Sequence, residues 1–159
     1  AISGSDNDRL RMSSGNMVFA RQIENLFATS PAIEQIFISG DNSECITALI
    51  VPDFNHFIKM FEAQGVRYNK NRLRWDNSSG VNVCCCVGED FISAQLLQET
   101  IRQEVASVNS RVEEFAQIRH YTVLNERFSE SNGRLTATGK IKYRAVQEAF
   151  HDVVDKMNR

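Results

Sequence analysis

Two runs rich in β-branched and aliphatic residues, separated by a turn, constrain the fold of this chain more than any other feature. The runs cover residues 33–39, IEQIFIS, and residues 45–51, CITALIV, and the tetrapeptide GDNS at residues 40–43 lies between them. β-branched residues favour strands, whereas Gly, Asp, Asn and Ser favour tight turns. The pattern therefore predicts a β-hairpin with strands at Ile33–Ser39 and Cys45–Val51.

Apolar residues at helical spacing predict helices on both sides of this hairpin. Pro52 ends the second strand, Asp53 is of a type that caps helices, and the following apolar residues mark a helix face that ends near Gly65: Phe54, Phe57, Ile58 and Phe61. A short amphipathic helix is predicted from Met17 to the Ser30–Pro31 pair. Sustained helical spacing predicts a long helix over residues 91–112 and a C-terminal helix over 143–157.

The remaining segments complete an α+β pattern. VNVCCCVG at residues 81–88 predicts a short buried strand, and IRHYTVLNE at 118–126 predicts a third main strand. Residues 66–80 are basic and turn-rich, which is more typical of a solvated excursion than of a site for a CoA or nucleic-acid phosphate; its charged and aromatic residues are Arg67, Tyr68, Lys70, Arg72, Arg74 and Trp75. We expect a small mixed β-sheet of about three strands flanked by helices.

Size and charge narrow the classes of protein that the sequence fits. The chain has 159 residues, a length typical of one domain, and a formal net charge of −2. This charge gives no broad cationic field, which disfavours a general nucleic-acid binder. No apolar run is long enough for a transmembrane segment, which leaves peripheral membrane association open, and no secretory signal begins the sequence. We expect a cytoplasmic protein, because the cysteines do not form a secreted disulfide framework.

The cysteines and histidines do not predict a metal site. Cys84, Cys85 and Cys86 are consecutive, and alternate side chains of a strand point to opposite faces, so at most two of the three thiols converge. A closed zinc site usually needs four ligands, and no CxxC pair or nearby histidine pair completes one. The three histidines are scattered, and none has a nucleophile in a recognisable setting. The cysteines are better explained as small hydrophobic residues of the core.

The sharpest local motif is LTATGKIK at residues 135–142, where Lys140 follows Gly139 in a loop before a helix. A phosphate-binding P-loop is excluded. Gly133 and Gly139 are separated by five residues instead of four, no Ser or Thr follows Lys140, and no apolar strand leads into the motif. Taken alone, Lys140 and Lys142 are interpreted as solvated charges of a loop and a helix start.

Three motifs together carry a family resemblance. They are SSGNMVFARQIE at residues 13–24, followed by SerPro; IEQIFISGDNSECITALIVPD at 33–53; and NGRLTATGKIKYRAV at 132–146. In this order they resemble the small C-terminal domain of AMP-forming acyl-CoA synthetases, with the long-chain fatty acid branch closest. The resemblance implies a hinge or linker and glycine turn at residues 1–16 and the C-terminal domain at 17–159, with a large N-terminal domain absent from this sequence.

The resemblance implies a catalytic role for Lys140. Lys140 matches the lysine that the family uses in adenylation, where a compact ammonium stabilises negative charge on carboxylate, phosphate and pyrophosphate. Gly139 would let the loop backbone approach the nucleotide without a Cβ. Thr136 and Thr138 would shape the same nucleotide loop by hydrogen bonds to neighbouring backbone.

The resemblance also implies a CoA path and a hinge. Gly15 matches the glycine of the turn that approaches the pantetheine of CoA, although Asn16 and Ala20 depart from the usual Glu and Pro. Asp8 matches the hinge about which the small domain rotates after adenylation, withdrawing the lysine and presenting the glycine turn. A hinge residue absorbs the backbone change.

The implied activity is that of a long-chain fatty acid–CoA ligase, which makes acyl-AMP from a carboxylate and ATP and transfers the acyl group to CoA. ATP, Mg²⁺ and CoA would bind mainly with the missing N-terminal adenylation domain, so the fragment alone is expected to be inactive. Two alternatives stay open. The intact protein could be an acyl-AMP ligase or a carrier-protein-loading adenylation domain, or the chain could be a non-catalytic interaction module with the same fold.

Overall fold

The structure is a computed structural model that describes residues 9–41 and 43–157. A three-stranded mixed sheet lies at its centre, with strand order β3-β4-β7, and two two-stranded ribbons, β1-β2 and β5-β6, accompany it. The strands are β1 (Arg9–Arg11), β2 (Met17–Phe19), β3 (Ile33–Ser39), β4 (Ile46–Pro52), β5 (Arg74–Asp76), β6 (Val83–Cys86) and β7 (Ile118–Val123). The predicted α+β class and the sheet of about three strands are confirmed.

Six α-helices flank these strands within the described ranges. They are α1 (Ala20–Phe27), α2 (Phe54–Gln64), α3 (Glu89–Ile92), α4 (Gln95–Asn109), α5 (Tyr143–Ala149) and α6 (His151–Met157). Short 3₁₀ turns occur at Lys70–Arg72 and Glu114–Ala116. None of the helices in this part of the chain is long and apolar enough to span a membrane.

The predicted hairpin forms the middle of the sheet. Antiparallel pairing of β3 with β4 sets Ile36 opposite Ile50, and every residue of β4 is buried. β7 pairs with the other side of β4 in the parallel direction, with Leu49 opposite Thr122. A parallel connection requires a crossover, and here α2, the β5-β6 ribbon, α3 and α4 make it.

Helix α2 has the ends that its sequence predicts. The Asp53 side chain accepts a hydrogen bond from the backbone N–H of His56, and Gly65 ends the helix in the left-handed region at φ +72°. The buried face of α2 packs into an aromatic cluster. In this cluster the Phe61 and Phe91 ring centroids are 4.7 Å apart, and Tyr68 packs edge-on against Phe91 at 5.0 Å. Tyr68 is therefore a partly buried residue that packs against the core.

Three helix predictions differ from the structure. Residues Met17–Phe19 form β2, because they pair with β1, and α1 begins only at Ala20. The long helix over residues 91–112 is broken after α3, where Ala94 adopts an extended conformation at ψ 133° before α4 begins. The C-terminal helix is interrupted at Phe150, whose ring packs against the Phe128 ring at 6.3 Å.

The excursion at residues 66–80 contains more order than its composition predicts. β5 pairs with β6 in an antiparallel ribbon, with Trp75 opposite Cys84. On β6 only Cys84 is fully buried, while Cys85 and Cys86 are half-buried. The prediction of a buried strand with core cysteines is thus confirmed for Cys84 and holds in part for its neighbours.

Candidate functional site

Residues 135–141, here called the lysine hairpin, place Lys140 at an exposed turn. Thr136 and Lys140 face each other across it, since Thr136 N–H donates to the Lys140 carbonyl at 2.8 Å and Lys140 N–H donates to Thr136 Oγ1 at 3.1 Å. Thr138 Oγ1 lies 3.0 Å from Thr136 Oγ1. Leu135 and Ile141 form an isolated antiparallel bridge below. The two threonines therefore shape the loop, as their side chains can accept from and donate to nearby groups.

Gly139 is required in this turn by its backbone conformation. Its φ is +85°, and its N–H donates to the Thr136 carbonyl at 2.9 Å. An added Cβ would meet no atom within 4 Å, so the constraint is conformational and not steric crowding. Lys140 itself is exposed, and its ammonium forms no ion pair with any residue in the described ranges. The charge is free to meet an incoming anion.

Arg134 anchors the base of the lysine hairpin. Its carbonyl accepts a hydrogen bond from Lys142 N–H at 2.8 Å. Its guanidinium carbon lies 4.7 Å from the centroid of the Phe150 ring, and its Nη1 lies 3.5 Å from Glu126 Oε1. One side chain thus joins the hairpin to the segment after β7 and to the break between α5 and α6. A cation over an aromatic face is favourable and fixes the guanidinium plane.

A second anchor fastens the segment before the hairpin to the sheet. The Gln35 side chain accepts from Phe128 N–H at 2.7 Å and donates to the Phe128 carbonyl at 3.0 Å. Phe128 is fully buried. The amide of Gln35 therefore takes the place of a neighbouring strand at the edge of β3, and it satisfies both backbone groups of a residue that water cannot reach.

Residues 127–135 form a closed turn between these anchors. Asn132 Oδ1 accepts from Ser129 N–H at 3.0 Å, and Asn132 Nδ2 donates to the Arg127 carbonyl at 3.0 Å. The Ser129 carbonyl in turn accepts from the N–H groups of Arg134 and Leu135. The stem that carries Lys140 is accordingly braced by hydrogen bonds along its whole approach.

A cleft of about 480 Å³ lies beside the lysine hairpin, between α1 and β3. Lys140 and Gly139 form one wall, and Arg21 and Glu24 of α1 form the other. Tyr143 closes one end, with its ring 5.0 Å from the Phe37 ring. Burial raises the pKa of the Tyr143 phenol, and the nearby Asp41 carboxylate adds to the rise. Tyr143 is therefore neutral at physiological pH.

A partly buried ion pair lies near this cleft, at the start of the closed turn. Arg127 Nη1 is 3.5 Å from Glu34 Oε1. Burial raises the pKa of the Glu34 carboxyl, and the positive charge of Arg127 opposes that rise. Arg127 Nε is buried without a hydrogen-bond partner among the described residues. The pair joins β3 to the stem of the hairpin at a second point.

Gly15 lies on a separate hairpin formed by β1 and β2. In its turn Gly15 N–H donates to the Met12 carbonyl at 2.9 Å, and Gly15 has φ +93° with open space around it. Ser13 N–H donates to the Ser43 carbonyl at 2.9 Å, which fastens this turn to the loop between β3 and β4. Within the described residues no hydrogen bond or ion pair joins it to the lysine hairpin. Asp8 lies outside the described residues.

The described part of the chain contains no cluster of three or more His, Cys, Asp and Glu side chains that could hold a metal ion. Burial raises the pKa of all three consecutive cysteine thiols, and that of Cys84 reaches about 11. These thiols are protonated at neutral pH. They are poor nucleophiles and poor metal ligands in this state, because the thiolate is the reactive form.

The structure thus brings together four of the residues singled out from the sequence and separates a fifth. Thr136, Thr138, Gly139 and Lys140 share one turn, whereas Gly15 lies on another ribbon. The anchors Gln35 and Arg134 were missed. Gln35 and Phe128 are 93 positions apart, and Arg134 meets Phe150 only after the chain has turned into α5. The one available signal was the SNG turn at residues 131–133, which marks a tight approach to the hairpin.

Comparison with known proteins supports the resemblance that the motifs indicate. The fatty acyl-CoA synthetase A of Dictyostelium discoideum is 24% identical over 149 residues, which are 92% of this chain and 20% of that protein. The long-chain-fatty-acid–CoA ligase 1 of Homo sapiens is 24% identical over 148 residues, which are 92% of this chain and 19% of that protein. The chain spans about a fifth of the length of these curated relatives. No family model matches it.

Solved structures show the same fold. The adenylation and carrier didomain of a carboxylic acid reductase from Segniliparus rugosus, in complex with AMP, superposes at a TM-score of 0.60 with 18% identity; the match covers 94% of this chain and 17% of that one. The adenylation domain of a carboxylate reductase from Mycobacterium chelonae gives a TM-score of 0.63 with 16% identity and covers 96% and 19%. The chain therefore has the fold of the small C-terminal domain of adenylate-forming enzymes, and the resemblance to acyl-CoA synthetases is confirmed.

Proposed function

We propose that this chain is the C-terminal domain of a long-chain fatty acid–CoA ligase of the AMP-forming type, and that it acts together with a large N-terminal adenylation domain. The observation that carries the proposal is the position of Lys140. Its unpaired ammonium stands at the exposed turn of a hairpin that two threonines and two anchors hold in one shape. Similarity to fatty acid–CoA ligases over 92% of the chain supports the same reading.

In the first half-reaction a fatty acid carboxylate attacks the α-phosphate of ATP, and pyrophosphate leaves. Negative charge collects on the carboxylate, the phosphoryl oxygens and the leaving group. The Lys140 ammonium is a compact charge with three donors, and it can follow that charge as it moves. Thr136 and Gly139 hold the backbone of the turn in one conformation, so that Lys140 is presented from an ordered loop, which reduces the reorganisation needed at the moment of reaction.

In the second half-reaction the sulfur of CoA attacks the acyl carbon of acyl-AMP, and AMP leaves. Gly15 would lie beside the path of the pantetheine arm. Its turn is open in this chain, and the lack of a side chain keeps that path clear. Gly15 and Lys140 stand on different hairpins, and a rotation about a hinge at Asp8, as the resemblance implies, would bring first Lys140 and then Gly15 to the reaction centre.

Most of the ligand contacts would come from the large N-terminal adenylation domain. ATP, Mg²⁺ and the fatty acid would bind there, and CoA would enter between the domains. This chain would supply a charge and an open turn, so we expect it to be inactive alone. The intact protein would work in the cytoplasm, where a fatty acid also reaches it from a membrane surface.

A product assay on the full-length protein tests this function. The protein is incubated with a long-chain fatty acid, ATP and Mg²⁺, and acyl-AMP, pyrophosphate and CoA thioester are followed with and without CoA. The proposal expects pyrophosphate release and complete conversion to thioester once CoA is added. Accumulated acyl-AMP with no thioester would favour an acyl-AMP ligase or a carrier-loading enzyme. No pyrophosphate with any carboxylic acid would favour a non-catalytic module.

A further inference from the structure

The closed turn at residues 127–135 contains the one Asn–Gly pair of this sequence, Asn132–Gly133. An asparagine side chain loses its amide spontaneously when the backbone nitrogen of the next residue attacks the side-chain carbonyl carbon. A following glycine favours this reaction, because it has no Cβ to hinder the approach and its backbone is the most mobile. Every other asparagine of the sequence precedes a residue with a side chain. The sequence therefore marks Asn132 as the most reactive amide of the chain.

The fold requires this pair at this place. Gly133 has φ +78°, in the left-handed region that glycine adopts without strain. The Asn132 side chain holds the same turn together. Its Oδ1 accepts from the N–H of Ser129 at 3.0 Å and of Arg134 at 3.2 Å, and its Nδ2 donates to the Arg127 carbonyl at 3.0 Å. The turn that braces the stem of the lysine hairpin therefore depends on the dipeptide that can react.

Both reacting groups are engaged while the turn is closed. The attacking nitrogen belongs to Gly133, whose N–H donates to the Glu130 carbonyl at 3.0 Å. The carbonyl and the amide nitrogen of the Asn132 side chain take part in the three hydrogen bonds given above. Glu130, Ser131 and Gly133 are exposed, so the turn can open locally without disturbing the core. The reaction therefore has to wait for that opening.

We propose that Asn132 is a deamidation site, at which an opening of the closed turn becomes irreversible. In the open turn the Gly133 nitrogen forms a bond to Asn132 Cγ. The Cγ–Nδ2 bond breaks, and the amide departs as ammonia with the proton of the Gly133 nitrogen. Water then opens the cyclic imide at either carbonyl. The product is an aspartate at position 132 or an isoaspartate, in which one methylene has been added to the main chain.

Either product prevents the turn from closing as before. A carboxylate at position 132 places an oxygen where Nδ2 donated, 3.0 Å from the Arg127 carbonyl, so two acceptors face each other without a proton between them. The isoaspartate form also displaces the chain that follows it by one bond. The N–H groups of Arg134 and Leu135, which donate to the Ser129 carbonyl, lie directly after this added methylene. Deamidation therefore removes bonds that brace the stem.

The change reaches the lysine hairpin because Arg134 and Leu135 are also its base. The Arg134 carbonyl accepts from Lys142 N–H at 2.8 Å, and Leu135 forms the bridge that closes the hairpin. A base without its bonds to the closed turn holds the backbone of Lys140 less firmly, so deamidation should slow adenylation. This consequence rests on the proposed function, whereas the reaction at position 132 does not.

Ageing of the 159-residue chain tests the reaction itself. The chain is kept in mildly alkaline buffer, folded or unfolded in urea, and peptide mapping follows aspartate and isoaspartate at position 132. We expect both products to accumulate in the folded chain, at least about tenfold more slowly than in urea, because the turn has to open. Ser129→Ala removes the hydroxyl that accepts from Asn132 N–H at 3.1 Å, and it should speed conversion in the folded chain about fivefold.

The matched control for this variant is Ser79→Ala, at an exposed serine of the β5-β6 turn, which should leave the rate unchanged. No conversion in the folded chain, over a time in which the unfolded chain is fully converted, would overturn the inference. Equal rates in the folded and the unfolded chain would overturn it as well, because the closed turn would then give no protection.

A pair of variants with the same charge change tests the consequence in the full-length protein. Asn132→Asp reproduces one product, and Asn77→Asp is the control at an exposed turn of the β5-β6 ribbon. We expect Asn132→Asp to lower ATP–pyrophosphate exchange at least about fivefold and to speed trypsin cleavage after Arg134 at least about threefold. Asn77→Asp should leave both within about twofold of wild type.

The cleavage rate does not depend on any activity, so it separates two kinds of failure. Cleavage at the wild-type rate in Asn132→Asp, or faster cleavage with unchanged exchange, would overturn the inference. A wild-type protein without exchange activity would refute the proposed function, and faster cleavage of Asn132→Asp would then still support an opened stem.

Discussion

The side-chain oxygen of Thr136 accepts a hydrogen bond from the backbone N–H of Lys140 at 3.1 Å. Thr136, near the start of the lysine hairpin, therefore holds the backbone of Lys140, the residue that carries the positive charge of the turn. The reciprocal bond, from Thr136 N–H to the Lys140 carbonyl at 2.8 Å, closes the turn from the other side. The turn thus fixes the backbone of Lys140, while the side chain that carries the ammonium remains exposed.

Thr136→Val removes the hydroxyl and should loosen the turn. A hydrogen bond of this kind contributes about 1 kcal/mol, which corresponds to a roughly fivefold loss in the rate of adenylation. ATP–pyrophosphate exchange by the full-length protein measures the effect. Thr136→Ser keeps the hydroxyl and should restore at least half of the lost rate. Equal rates for the valine and serine variants would show that the hydroxyl has no part in positioning Lys140.

Gln35→Met should destabilise the domain more than its half-buried position indicates. The substitution keeps the length of the side chain but leaves the N–H and carbonyl of fully buried Phe128 without their partner. We expect the free energy of unfolding to fall by about 1–3 kcal/mol. Urea denaturation of the 159-residue chain measures it. Gln22→Met, at an exposed helix position, is the matched control and should change stability by less than about 0.5 kcal/mol. Equal effects of the two substitutions would contradict the assigned anchor.

Arg134 and Phe150 should prove energetically coupled. A double-mutant cycle with Arg134→Ala and Phe150→Leu is expected to give a coupling energy of about 0.5–1 kcal/mol, since the guanidinium stacks on the ring. Urea denaturation of the four proteins supplies the cycle. The same cycle with Arg144, an exposed arginine of α5, in place of Arg134 should give no coupling. An Arg134 coupling near zero would mean that the stacked geometry does not contribute to stability.

The buried Cys84 thiol should lower the free energy of unfolding at alkaline pH. Burial raises the pKa of its thiol from 9.0 to about 11, so the folded state holds its proton where the unfolded state has lost it. The stabilisation is fully present below pH 9 and is lost as the pH rises towards 11. Urea denaturation at pH 8 and pH 10.5 should show a larger loss for the wild type than for Cys84→Ala. Identical losses would contradict the raised pKa.

Much of the fold could be predicted because local chemistry and tertiary structure agree there. Strand β3 has the predicted bounds, and α2 has both its Asp53 cap and its Gly65 end. The breaks at Ala94 and Phe150 could not be predicted, since apolar residues continue at helical spacing across both. At Phe150 the decisive factor is a ring that packs on Phe128, a contact between distant segments. β1 and β2 are three residues each and are strands only because they pair.

The candidate site likewise contains residues that the sequence analysis found and residues that it did not. The resemblance carried by three motifs pointed to Lys140, which the local pattern alone leaves as a solvated charge. The neighbouring threonines contact each other and Lys140 within five residues of the chain. The anchors at Gln35 and Arg134 could not be found, because a polar residue on a predicted strand or turn gives no sign of its distant partner. The sequence predicts a helix that begins at Met17, and only the pairing with β1 makes Met17–Phe19 a strand instead.

Replacing Lys140 tests the central claim most directly. ATP–pyrophosphate exchange is measured on the full-length protein for wild type, Lys140→Ala and the matched control Lys142→Ala, whose lysine is exposed two residues further on. We expect Lys140→Ala to lower exchange about a hundredfold to a thousandfold, as loss of a transition-state donor does, while Lys142→Ala stays within about twofold of wild type. Exchange by Lys140→Ala at the wild-type rate would contradict the role assigned to this residue.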